Sequence, residues 1–112
     1  HTEANNSVRA NPITASARIG KKDDGFHVYA MLWTESQIQI LLDGVTMLTY
    51  ERPQDAKSDT WPFDVPFHLI LNLAVGGSWG GQMGVDDDAF PQRMLVDYVR
   101  LYALPDVNSG AE

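Results

Sequence analysis

Residues 61–79 constrain this chain more than any other stretch. They read Trp-Pro-Phe-Asp-Val-Pro-Phe-His-Leu-Ile-Leu-Asn-Leu-Ala-Val-Gly-Gly-Ser-Trp. The apolar heart, residues 67–75, is interrupted by a single amide, Asn72, and runs into Gly76, Gly77, Gly80 and Gly81. A run of that length, with Pro before it and Gly after it, predicts a buried strand rather than a helix. A buried Asn without a hydrogen-bond partner costs about 1–3 kcal/mol, so either the fold or a ligand must satisfy Asn72.

The rest of the chain reads as strands and turns. In residues 37–50 two apolar runs flank Asp43-Gly44, the pair that supplies the positive φ angles of a type I′ turn. That is a tight hairpin and the clearest local signal in the sequence. Residues 26–33 predict a further strand, with Phe26, Val28, Ala30 and Leu32 on one face and His27, Tyr29, Met31 and Trp33 on the other. Both faces are apolar enough to expect cover. Weak alternation over residues 13–19 allows a strand or a helix before a turn at 21–25, and residues 93–102 predict a last strand. Residues 1–4 suit the end of a strand that would put His1 and Glu3 on one face. Residues 5–11 and 51–60 are polar or charged, hence loops, and residues 105–112 form a polar tail.

Together these predict an all-β, antiparallel, hairpin-linked fold of about six strands. Its two-sided strands imply a sandwich of two sheets. The 112 residues suit one domain, residues 1–104, and no apolar run approaches the roughly 20 residues needed to span a bilayer. A formal net charge of −7 argues against nucleic acid as a partner. With no cysteine there is no disulfide framework and no thiolate chemistry. The chain opens on His1-Thr2-Glu3, with neither an initiator Met nor a signal segment, as a portion of a longer protein would.

Aromatic residues, amides and glycine-rich loops on a β-sandwich equip a sugar site. A pyranose stacks an apolar face on Trp and presents hydroxyls to Asn, His, Glu or Arg. Trp79, in the glycine-rich segment, is poised between stacking on a ligand and anchoring its loop, whereas Trp61 and Trp33 suit packing. Asn5-Asn6-Ser7 matches a glycosylation sequon, a common pattern. The run Asp86-Asp87-Asp88 suits a solvated loop better than calcium. Asp97, a charge in an apolar strand, is open to a salt bridge with Arg100 or to a calcium ion. Retaining glycoside hydrolysis needs two carboxylates about 5–5.5 Å apart. Glu3, Glu35, Glu51 and Glu112 are the only glutamates, and none has an acidic partner at strand spacing.

The motifs His1-Thr2-Glu3-Ala4, Phe26-His27-Val28-Tyr29-Ala30 with Trp33, Asp43-Gly44 and Trp61-Pro62-Phe63-Asp64 resemble the carboxyl-terminal half of glycoside hydrolase family 16. So do Leu69-Ile70-Leu71-Asn72-Leu73-Ala74-Val75-Gly76-Gly77 with Trp79, and Phe90-Pro91-Gln92 followed by Val96-Asp97-Tyr98-Val99-Arg100. Laminarinase-type endo-β-1,3-glucanases are the most similar members. The resemblance implies a β-jelly-roll, of which this chain would be an incomplete half, a concave cleft, a β-1,3-glucan or related substrate, retention of configuration and secretion. The family's catalytic signature, Glu-x-Asp-x-x-Glu, does not occur here, so no catalytic residue carries over.

Asn72 matches an inward Asn that reaches the sugar beside the cleaved bond, His1 a His at the cleft wall, and Trp79 an aromatic beside the cleft. Glu3, sharing a face with His1, joins them as a substrate-binding candidate. Asp97 matches an Asp that many members use for a structural calcium. Catalysis itself implies no cofactor. Leu32 departs from the family, which commonly has an acidic residue there. The expected function is part of a glucan cleft, inactive in hydrolysis alone, with a non-catalytic β-glucan-binding module as the alternative and a ligand-free structural β-domain as a third reading. Half a sandwich leaves strand edges and an apolar face open, so association with a missing amino-terminal half or with itself is expected.

Overall fold

The computed structural model of the protein describes residues 1–6, 8–16 and 25–104. The expected polar tail at 105–112, most of the turn at 21–25, residues 17–19 of the predicted strand and Ser7 of the sequon lie outside them. The chain divides into two units, His1–His68 and Leu69–Glu112.

The first unit is built on a three-stranded antiparallel sheet in the order β1 (Tyr29–Trp33), β2 (Gln37–Leu42) and β3 (Val45–Glu51). The Asp-Gly turn behaves as its chemistry requires. Leu42 pairs with Val45 across two residues, and Asp43 (φ 49°) and Gly44 (φ 79°) both take positive φ. Register slips once between Ile40 and Leu41, leaving Met47 as the extra residue of a bulge in β3. Asp43 also ties the turn to β1. Its backbone N–H donates to the Val28 carbonyl at 2.9 Å, while its carboxylate accepts from the Val28 N–H at 2.9 Å and meets His27 Nδ1 at 2.7 Å. At the other end of the sheet, Thr34 closes the β1–β2 turn through its N–H to Gln37 O, 2.9 Å, and its Oγ1, which accepts from Gln37 N–H at 3.0 Å.

The unit's core sits where the chain leaves β3. Trp61 is only 2% exposed. Tyr50 and Phe63 pack on its ring at centroid distances of 5.5 and 5.2 Å, Phe67 follows Phe63 at 5.9 Å, and Trp33 meets Phe67 edge-on at 5.8 Å. A second layer of contacts fixes that cluster. Tyr50 donates its hydroxyl to Thr60 O at 2.6 Å, and Arg52 grips Asp64 with two bonds of 2.7 and 2.9 Å while its guanidinium lies 5.8 Å from the Trp61 ring centre. The Trp61 indole N–H donates to the same Asp64 at 3.2 Å. The sequence Trp-Pro-Phe-Asp is thus a packing unit: two rings for the core and a carboxylate that holds Arg52 and Trp61 together. Trp61 and Trp33 pack, as expected.

Residues 1–6 and 8–11 are knitted together by side-chain amides. Asn6 Nδ2 donates to the Thr2 and Glu3 carbonyls at 3.1 and 2.8 Å, and Asn11 Nδ2 to the Ala4 carbonyl at 3.0 Å. Asn5 N–H is capped by the Thr2 hydroxyl at 3.0 Å, and Ala4 N–H donates to Asp59 O at 2.9 Å. Residues 1–4 are therefore bent, not the end of a strand, because Asn side chains outcompete a ladder for the local backbone groups.

Three expectations fail in the same way. The described residues hold three strands, not about six. Residues 67–75 and 93–102 form no strand, because among the described residues their backbone groups find no hydrogen-bonded neighbour. β-propensity supplies side chains that suit a sheet, but only a paired backbone makes a strand. Cover is missing too. Tyr29 and Met31 on one face of β1, and Val28 just before it on the other, stand exposed.

The second unit has two short helices, α1 (Gly77–Gly80) and a 3-10 turn, η1 (Asp87–Ala89), separated by turns. Asp86 caps η1, accepting the Asp88 N–H at 3.1 Å. The Asp86–Asp88 run is thus engaged in capping its own turn. Gln92 returns its side-chain amide to the Ala89 carbonyl beside the cis Phe90–Pro91 bond.

Candidate functional site

Trp79 stands at the tip of α1, and its backbone setting is glycine's work. Gly76, the residue before the helix, has φ 69° and ψ −135°, and Gly77 has φ 82°. The turn closes where Gly81 N–H donates to Gly77 O at 3.0 Å. Trp79 is 89% exposed, and among the described residues no aromatic ring packs on it. Trp79 is thus a large apolar ring open to solvent on a closed turn, and Met83 and Leu101 are at least as exposed.

Asn72 is exposed rather than buried within an apolar strand, so its amide is open to solvent or ligand. That removes the expected burial problem and leaves both its donor and its acceptor available. Asn72 and Trp79 belong to the second unit. His1 and Glu3 belong to the first, both exposed, flanking Thr2, which is anchored through its hydroxyl and its carbonyl. Thr2 is nearly buried and orders the bend that presents its two neighbours.

Asp97 is exposed, and Arg100 turns instead to Tyr98, its guanidinium 4.3 Å from that ring's centre. Among the described residues no group of three or more His, Cys, Asp or Glu side chains converges to hold a metal ion. Those residues do not by themselves fit a calcium ion at Asp97, which wants six to eight oxygens.

One feature lay beyond the sequence reading. Residues 51–60 predicted only a solvated loop, yet Arg52, Lys57, Ser58, Trp61, Asp64 and Val65 line an open groove of about 190 Å³. Its signal is the carboxylate three residues after Trp61, twelve residues beyond an Arg that follows a strand. The Arg52 charge is already neutralised by Asp64, so the groove is a by-product of the packing unit.

The family model for glycosyl hydrolases family 16 matches residues 5–100. The chain belongs to that family. Similarity extends to a β-glucanase of Rhodothermus marinus, 46% identical over 106 residues that make up 91% of this chain and 37% of the relative. A keratan-sulfate endo-1,4-beta-galactosidase of Sphingobacterium multivorum is 39% identical over 98% of this chain and 26% of its own length. The solved laminarinase from Rhodothermus marinus superposes with a TM-score of 0.76 at 42% identity, over 81% of this chain and 38% of that one. This family 16 chain thus spans between about a quarter and little more than a third of these relatives, and its fold is the corresponding part of an antiparallel jelly roll. Membership explains the open faces. Segments that read as strands and yet stand without a ladder occur in a chain that covers a minor part of the fold to which it is similar.

Proposed function

We propose that this chain contributes glucan-contacting surface to a retaining, laminarinase-type endo-β-1,3-glucanase and supplies no catalytic carboxylate of its own. The observation that carries the reading is Trp79, an almost fully exposed indole on a glycine-closed turn within a family 16 chain. Such a ring stacks on a pyranose face. Asn72, with donor and acceptor both accessible, hydrogen-bonds sugar hydroxyls, and His1 and Glu3 provide further polar contacts. The glutamates bear on the second half of the proposal. No pair stands at the short spacing that a nucleophile and an acid/base on one strand require. A protein with this task works on a polymer outside the cell, so it is secreted, and the remaining strands of the jelly roll are its partner.

Two measurements on the chain test this reading. Incubated with laminarin, it should release no reducing ends above background, and clear hydrolysis would overturn the claim that it lacks the catalytic groups. Titrated with laminarihexaose, it should bind, and Trp79→Ala should weaken binding about tenfold, as expected for removing one stacked aromatic. Equal affinity in the two proteins would remove Trp79 from the site. Binding by a soluble monomer would favour the autonomous binding module over a part of an enzyme.

A further inference from the structure

Gly80 and Gly81 are neighbours, yet the structure treats them differently. A Cβ built on Gly80 meets nothing within 4 Å. One built on Gly81 would lie 2.7 Å from the Gly77 carbonyl oxygen, 3.1 Å from Gly76 Cα and 3.2 Å from the Gly76 carbonyl carbon. All three atoms are backbone, so no side chain can swing aside to relieve the contact. The conformation of Gly81 is ordinary, φ −100° and ψ 11°, and its requirement is purely one of space. The oxygen that a Cβ would strike is also the acceptor of the Gly81 N–H, which closes the turn. Any side chain at 81 must therefore push open the bond that holds the two ends of the Trp79 turn together. Gly76 is boxed from the other side, where a Cβ would come within 3.3 Å of Val85 Cγ2.

We infer that Gly81 is the positioning residue for the Trp79 platform: it lets the turn close on itself, so that the backbone carrying the indole is already in place when sugar binds. The inference rests on the reading of Trp79 as a glucan contact. Its physical content is pre-organisation. A tryptophan on an open loop must lose backbone freedom each time it stacks, whereas on a closed turn that backbone freedom is already lost. Gly81 touches no sugar and acts only through Trp79.

The chain has three tryptophans, Trp33, Trp61 and Trp79, so 5-fluorotryptophan labelling gives one ¹⁹F resonance for each. Laminarihexaose should shift the Trp79 resonance in the unaltered chain and in Gly80→Ala. In Gly81→Ala the Trp79 resonance should already differ without sugar, those of Trp33 and Trp61 should hold, and affinity should fall severalfold, approaching the roughly tenfold loss of Trp79→Ala. If Trp79→Ala weakens binding while Gly81→Ala binds as tightly as Gly80→Ala, the positioning role is overturned and the Trp79 site stands. If the unaltered chain does not bind, or Trp79→Ala binds equally well, the site itself fails and the inference with it. Displacement of the Trp33 and Trp61 resonances in Gly81→Ala would make the residue one the whole fold needs, and would also overturn the specific role.

Discussion

The Asp43-Gly44 hairpin and the apolar run at 67–75 have equally good strand composition, and only the hairpin is a strand pair. Residues 37–51 fold back on themselves through a two-residue turn, so every residue of β2 has a register partner close by in the sequence, Gln37 with Glu51 being the most distant pair of the hairpin. The run at 67–75 leads instead into four glycines and a one-turn helix, and those supply no neighbour strand. Ile70 is 70% exposed and Leu71 52% exposed, where a buried strand would hide both. A hairpin is a local object, legible from a dozen residues. A sheet assembled from distant segments depends on the rest of the chain, and this chain spans between about a quarter and little more than a third of the relatives named above.

The largest expected effect comes from removing the one feature that the first unit has and the second lacks, a fully buried ring. Burying an aromatic side chain removes roughly 150–250 Å² from water, and Trp→Ala at such a site costs about 3–5 kcal/mol. Trp61→Ala should therefore unfold the hairpin unit at ordinary temperature or nearly so. Amide hydrogen exchange reads the contrast directly. In the unaltered chain the bonded amides of β2 and β3 are protected and those of residues 69–75 are not, and in Trp61→Ala the two become alike. If β2 and β3 stay protected, their stability lies in the turn and not in the aromatic cluster.

That contrast also marks how much could be read from the sequence. The turn, its two strands, the packing of Trp61 and Trp33, and the all-β class follow from residue chemistry within short windows. The amide stitching at residues 1–11 does not, because Asn6 reaches Glu3 and Asn11 reaches Ala4 only once the chain has already bent. The exposure of Asn72 is not legible either, because an apolar run implies cover, and cover is a property of neighbours. Trp79 is legible as the aromatic least able to join the core, whereas the close approach at Gly81 is not, since nothing in the sequence Gly80-Gly81 tells one glycine from the other.

A smaller effect is expected at the lock around Trp61. Asp64→Ala removes both bonds to Arg52 and the acceptor of the indole N–H. Both charged side chains are more than a third exposed, at 37% and 53%, so solvent screens most of their attraction. The loss should be about 1 kcal/mol or less by urea denaturation, well below that of Trp61→Ala. A loss as large as that of Trp61→Ala would mean that the cluster is organised by its polar rim, and that the local aromatic packing is secondary.

The smallest effect is an acid dependence confined to the hairpin. The hydrogen bond from His27 first, then that from the Val28 N–H, hold the Asp43 carboxyl below its ordinary value of 3.8 against a slight opposing push from desolvation. A carboxyl whose value is depressed on folding stabilises the folded state fully above the unfolded value, and that contribution is lost as pH falls through the folded one. Hairpin stability should accordingly be flat from neutral pH down to the ordinary carboxylate range and then decline below it. Asp43→Asn tolerates the same positive φ while removing the charge, so it should flatten the acid limb without opening the turn. Following β1 and β2 amide resonances of both proteins through that range separates the two jobs of one residue: turn geometry, which Asn keeps, and the charged tie from turn to strand, which it cannot make.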